Sequence, residues 1–230
     1  MQRYFLKTKS NEITGPDAHH ITKVMRMSSH DQIIVCYEKR CFLSEVLLED
    51  SRVFFKEIKE LESVKSPYVA LIQGLPKHPK SETVCKYATL FGASKITFVP
   101  MQRSIAKLDN ENNKLKRMHL IAKEAAELAH RFDIPDITFE SALKHIDWKQ
   151  FNIVLLADEN EKTLTLPIAC PSIKEDDRIA LIIGPEGGIT DQERAYFEQQ
   201  GAKMVSLGKN ILPTELAALY ALSYVSLKNF

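Results

Sequence analysis

No apolar run in this chain approaches the roughly 20 residues that a membrane-spanning helix needs. The opening stretch, Met-Gln-Arg-Tyr-Phe-Leu-Lys-Thr-Lys, lacks the apolar core and cleavage pattern of a secretion signal. The expectation is a soluble, cytoplasmic chain. Cys36, Cys41, Cys85 and Cys170 make no CxxC pair, and in that setting they are expected as reduced, buried thiols. The seven histidines show no metal-ligand spacing, His19 and His20 being adjacent, so no metal is expected. Neither GxxxxGK[ST] nor GxGxxG occurs, which argues against an ATPase and against ordinary dinucleotide binding. Internal repeats and low-complexity segments are absent as well.

What is present is an ordinary globular balance over 230 residues, long for one domain and comfortable for two. The near-zero net charge hides an asymmetry. From Lys77 to Arg131, 11 Lys and Arg stand against 5 Asp and Glu; from Phe132 to Gln200, 6 stand against 14. A basic central segment suits a polyanion, although a solvated helix face would give the same count.

Residues 1–66 read as a small, mostly β unit. Gln32–Tyr37 and Cys41–Leu47 flank the polar Glu38-Lys39-Arg40 as a hairpin, and Arg52–Ile58 follows as a third strand. His19–Arg26 reads as one short helix with Ile21, Val24 and Met25 inward. Ser63-Val-Lys-Ser-Pro67 is the expected boundary, giving a second domain over 67–230. There strands and helices alternate, which favours an α/β fold with a mainly parallel sheet. Strands are expected at Tyr68–Gln73, Lys95–Val99, Ile137–Phe139, Asn152–Ala157 and Leu181–Ile183. Helices are expected at Ser81–Phe91, Asn113–His130 and near Ser141–Trp148.

Two stretches stand apart. Leu181-Ile-Ile-Gly-Pro-Glu-Gly-Gly-Ile-Thr190 is a buried-strand pattern ending in turn residues, followed by Thr190-Asp-Gln-Glu193 as a capping box. Ser206-Leu-Gly-Lys-Asn-Ile-Leu-Pro-Thr-Glu215 repeats the plan, with a helix from about Thr214. Glycine loops after two such strands could face one pocket. The alternative for the first is a plain tight turn, and for Glu186 and Glu215 the capping of helix N-termini.

This pair of motifs resembles the C-terminal signature of the SPOUT superfamily of methyltransferases. More narrowly, the chain is similar to the RsmE family, which methylates N3 of a uridine in 16S ribosomal RNA with S-adenosylmethionine. "HHITKVMRM", "KYATLFGASKITFVP", "QRS" and "AKEAAELAHRFDIP" fall in the family's order. The resemblance implies an N-terminal PUA-like RNA-binding β-barrel and a C-terminal α/β domain ending in a deep trefoil knot, paired as a homodimer through the knot. It places the methyl donor at Leu156-Ala157 and the loop beyond, at Ile183-Gly184-Pro185-Glu186-Gly187, at Ser206-Leu207-Gly208 and at Asn210-Ile211-Leu212. Pro213 stands where the family usually has Arg, and Leu216 where it has Thr. A basic residue at that end must then come from Lys209 or Arg103. For the reaction, Glu186 or Glu215 would take the N3 proton and Arg103 would balance charge on the base. Arg26, Lys77, Lys80, Lys86, Arg103, Lys107, Lys123 and Arg131 are the candidate RNA contacts. The competing readings are a non-catalytic RNA-binding protein and a methyltransferase with another RNA target.

Overall fold

Five strands of the computed structural model, which describes residues 1–227, form one sheet: β1 (Arg3–Phe5), β2 (Glu12–Ile13), β3 (Gln32–Tyr37), β4 (Arg40–Glu49) and β5 (Arg52–Glu60). Their spatial order is β1-β3-β4-β5-β2. Tyr4 from one edge strand and Ile13 from the other share a core with Ile33, Val35, Val46 and Val53, so the sheet curls until its two edges close on the same apolar interior. Glu38 and Lys39, with φ of +50° and +60°, make the left-handed two-residue turn that matches the twist of a hairpin.

That turn sets Cys36 directly opposite Cys41, and the two form a disulfide. The expectation of four reduced thiols is corrected at this pair, because cross-strand register joins positions that a search for CxxC spacing passes over. Cys85 and Cys170 are buried thiols, and burial pushes the Cys85 thiol up to about 12. A second correction concerns the short helix. A five-residue α1 (Gly15–His19) runs into a π-helical turn over His20–Val24. Only Ile21 points inward, while Val24 and Met25 are exposed. His20 Nδ1 lies 2.9 Å from the Tyr4 hydroxyl.

The chain divides by contacts into two compact units, Met1–Val64 with Ala126–Ile134, and the described residues of Lys65–Ala125 and from Pro135 onward. Ala126–Ile134, expected within the second domain, thus packs with the first unit. There the Arg3 guanidinium donates to the His130 and Arg131 carbonyls. Residues 228–230, included in the expected second domain, lie outside the described residues.

The second unit carries six parallel strands, β6 (Tyr68–Gly74), β7 (Lys95–Val99), β8 (Asp136–Phe139), β9 (Ile153–Ala157), β10 (Arg178–Ile183) and β11 (Lys203–Val205). Their order is β11-β9-β10-β6-β7-β8. The helices are α2 (Lys80–Leu90), α3 (Glu111–Leu128), α4 (Leu166–Ala169), α5 (Asp191–Gln199) and α6 (Thr214–Leu227). The helix expected near Ser141–Trp148 is replaced by two short 3-10 turns, Leu143–His145 and Trp148–Gln150. Asp147, extended between them at ψ +92°, breaks the helical path. From β6 the chain builds outward through β7 and β8, then returns to fill the other side with β10, β9 and β11. The switch lies between β6 and β10, and in open parallel sheets ligands bind at such a point, beyond the carboxyl ends of the strands.

Candidate active site

β6 and β10 run in register, Ile183 beside Gln73, and each gives way to a tight approach of backbones. A Cβ on Gly74 would lie 2.6 Å from both the nitrogen and Cδ of Pro185, and 2.9 Å from Met101 Sδ. Backbone therefore blocks any larger residue there. Gln73 is fully buried. Its amide donates to Thr214 Oγ1 at 2.8 Å and the Gly74 carbonyl at 3.0 Å, while the Thr214 hydroxyl donates to the Gly184 carbonyl. The loops after β6 and β10 and the start of α6 are tied at one point. Gly74→Ala is expected to cost about 1–3 kcal/mol by overpacking, read as a lower urea midpoint with an unchanged slope.

Around this knot of hydrogen bonds opens a cavity of about 410 Å³, a size suited to a small-molecule ligand. Ala157 and Asp158-Glu159-Asn160 line it from the end of β9, Ile183-Gly184-Pro185-Glu186 and Gly188-Ile189 from β10, and residues 206–213 from the end of β11. Of the expected donor-site positions, Ala157, Ile183, Gly184, Pro185, Glu186, Ser206, Leu207, Gly208, Asn210, Ile211 and Leu212 are brought together here. Leu156 is buried in the core below, and Gly187 faces the other way. A Cβ on Gly187 would meet Arg103 Cβ at 2.7 Å and the Arg103 carbonyl oxygen at 2.8 Å, so glycine is needed for the Gln102-Arg103-Ser104 loop to lie against it.

That loop is anchored by the expected capping box. Thr190 Oγ1 accepts the Glu193 N–H at 3.2 Å, and Glu193 Oε2 accepts the Thr190 N–H at 3.0 Å. Glu193 Oε1 then takes the Gln102 N–H at 2.7 Å. Arg103 follows, exposed, donating to the Gly187 carbonyl at 3.2 Å. It borders the cavity beside Gly188 without lining it.

The charged lining comes largely from residues that the motifs do not contain. Lys80 Nζ sits 3.0 Å from Glu215 Oε2 and 3.7 Å from Glu186 Oε1. That Glu215 oxygen is buried and meets the ammonium as an ion pair. Glu186 Oε1 also accepts the Lys77 N–H at 3.1 Å. Lys162, Arg194 and Lys209 supply further cations. Asp158 is 6% exposed and pairs with Arg194 at 2.5 Å. Burial pushes its carboxyl up, but Arg194 and the Asn160 N–H outweigh that and hold it below the usual range. A carboxyl lowered in the fold contributes stability that is complete above its unfolded value and is lost as pH falls through the folded one. The window is acidic, below about pH 4. Asp158→Asn is expected to lose less stability than the parent between pH 5 and about pH 2, measured by urea unfolding across that range.

The candidate RNA contacts scatter. Lys77, Lys86, Arg103 and Lys107 are exposed on the second unit, and Arg26 is exposed on the first. Lys86 lies 5.6 Å from the Tyr87 ring centroid. Lys80 points into the cavity, Lys123 is half-buried, and Arg131 is 11% exposed and paired with Asp133 at 2.8 Å. Charge counting could not foresee these last three, because it is blind to which cations are already paired.

Comparison with known proteins adds the context. Residues 64–226 match the RNA methyltransferase domain family and residues 13–50 the RNA methyltransferase PUA domain. A Bacillus subtilis relative, ribosomal RNA small subunit methyltransferase E, is 33% identical over 98% of this chain and 96% of its own. A Rickettsia conorii protein of the same description is 30% identical over 72% of this chain and 68% of its own. Among solved structures, a ribosomal RNA small subunit methyltransferase E from Neisseria gonorrhoeae bound to S-adenosyl methionine superposes with a TM-score of 0.83. It is 22% identical, covering 99% of this chain and 97% of that one.

Proposed function

This chain belongs to the RNA methyltransferase domain family, with the ribosomal RNA small subunit methyltransferase E proteins among its relatives, and from that premise we propose that it methylates N3 of one uridine in 16S ribosomal RNA using S-adenosylmethionine. Its fold is the SPOUT-type α/β knot preceded by a PUA-like unit, as the motifs led one to expect. The observation that carries the reading is the cavity at the ends of β9, β10 and β11, where apolar and charged walls meet beside two carboxylates.

The residues present suit the donor. Ile183, Ile189, Leu207 and Leu212 offer apolar surface for a purine, while the polar groups of Asp158, Asn160 and Ser206 can meet ribose and amino-acid atoms. Lys209 lines the cavity and Arg103 does not, so Lys209 is the better replacement for the basic residue that Pro213 displaces. When bound, S-adenosylmethionine supplies an electrophilic methyl group: the ring nitrogen forms the new N–C bond and the carbon–sulfur pair returns to sulfur.

The protein's own task is the proton. A uracil N3–H must be lost before or during transfer, and Glu186 or Glu215 accepts it. Such general-base help is worth about 10²–10⁴-fold, and holding N3 in line contributes at least as much. Arg103 balances charge on the uracil oxygens from the Gly187 side. Phosphates are met by Arg26, Lys77, Lys86 and Lys107, contacts that position the RNA without reading its sequence. The domain expected over residues 1–66 carries part of this grip. A second copy packs on α6, whose Leu216 and Tyr220 are 46% and 52% exposed.

The test is transfer of labelled methyl from S-adenosylmethionine to small ribosomal subunits that lack uridine N3-methylation, followed by nucleoside analysis. Label in N3-methyluridine at one position is the expected result. Donor binding without label would redirect the search to another RNA. Neither binding nor label would leave a non-catalytic RNA-binding protein.

A further inference from the structure

We propose that Lys80 is a positioning residue for this reaction, clamping Glu186 and Glu215 against each other so that the proton acceptor is held in place and charge-compensated; the inference rests on the methyl-transfer reading above. Lys80 opens α2, and a cation at a helix N-terminus lies at the wrong end of the helix dipole. Helix stability therefore does not account for it. What accounts for it is the company across the cavity wall. Glu186 comes from the loop after β10 and Glu215 from the first turn of α6, and one ammonium reaches both, at 3.7 Å and 3.0 Å.

Two carboxylates in one site repel. A single ammonium between them removes that repulsion and fixes their spacing. Glu215 Oε2 is shielded from solvent and has no hydrogen-bonded partner, so Lys80 is the compensating charge it has. Lys80 in turn is held protonated, its pKa raised chiefly by the Glu215 contact. Lys77 contributes from the same loop through its backbone N–H on Glu186. The lysine is thus built into the site by both carboxylates, whereas Arg103, at the rim, touches neither.

The experiment compares the full-length protein with Lys80→Met and Lys80→Arg. Crystal structures of the variants are expected to show the Glu186 and Glu215 carboxylates moved apart in Lys80→Met and returned toward the parent spacing in Lys80→Arg. In methyl-transfer assays Lys80→Met should lower kcat by about 10²-fold, with KM for RNA within threefold, and Lys80→Arg should recover part of it. A carboxylate spacing that does not change in Lys80→Met overturns the proposal whatever happens to kcat, as does a loss confined to donor affinity with kcat unchanged. Should Lys80→Met fail to fold, Lys80→Gln replaces it under the same criteria. A parent protein that binds donor but transfers nothing counts against the methyl-transfer reading alone, because the variant structures still decide whether the clamp exists.

Discussion

Arg103→Ala should lower turnover by about 10²–10³-fold while leaving the affinity for S-adenosylmethionine unchanged. The magnitude is that of losing one preorganised group aimed at developing charge, about 2.7–4 kcal/mol of transition-state stabilisation. The separation of effects follows from position. Arg103 is outside the lining of the cavity, so the donor loses no contact. Its guanidinium leans on the Gly187 carbonyl, beside the lip where a base would enter. The loop beneath it stays put, because its anchors are the Gln102 N–H on Glu193 and the packing of Arg103 backbone against Gly187, neither of which the substitution removes. Isothermal titration with the donor and single-turnover methyl transfer would be measured side by side. Unchanged turnover would take Arg103 out of the mechanism; equal losses in both would make it a donor-site residue.

Phe197→Ala should destabilise the second unit by about 3–5 kcal/mol, the range for truncating a fully buried phenylalanine. Phe197 is fully buried on α5. It meets Trp148 and Tyr196 edge-on at ring-centroid distances of 5.7 Å each. Trp148 Nε1 donates to the Tyr196 hydroxyl at 3.0 Å, and that hydroxyl donates to the Leu143 carbonyl. The cluster is held by polar groups at its edge, so it is poorly able to collapse into the space a ring leaves. The consequence for function is indirect but large. The same helix carries Glu193, which anchors the Arg103 loop, and Arg194, which pairs with Asp158 in the cavity wall. Donor affinity should therefore weaken with stability, unlike in Arg103→Ala. Urea unfolding and donor titration on the same variant would test this; a loss of under about 1 kcal/mol would mean the cluster repacks.

The local patterns were legible because they depend on neighbours in sequence. The apolar run before Gly184 suited a strand buried on both faces, and Thr190-Asp-Gln-Glu193 read as a capping box; both hold. Where the reading went astray, the missing information was an element distant in sequence. The periodicity of His19–Arg26 suited a regular helix, yet the first unit buries only Ile21 and lets Val24 and Met25 face solvent. Cys36 and Cys41 meet through strand register, which no spacing rule for cysteines encodes. Within the cavity the motif residues were named in advance, because turn glycines and a carboxylate without structural work mark a loop from within. Arg194 carries no such mark, and the count of basic residues that singled out Lys80 could not set it beside the two carboxylates.

By itself, then, the sequence determined the class of the fold, two of the loops that line the cavity and the capped helix that supports them. These follow from backbone sterics and apolar periodicity, which act over a few residues. Only the tertiary structure decided which cations face the two carboxylates and which merely face water, and why Gly74 and Gly187 have no side chain. Ion pairs and backbone contacts of that kind join residues 84 to 135 positions apart. Their strength depends on burial and on distances of a few ångströms, and neither exists until the parallel strands have set those segments side by side.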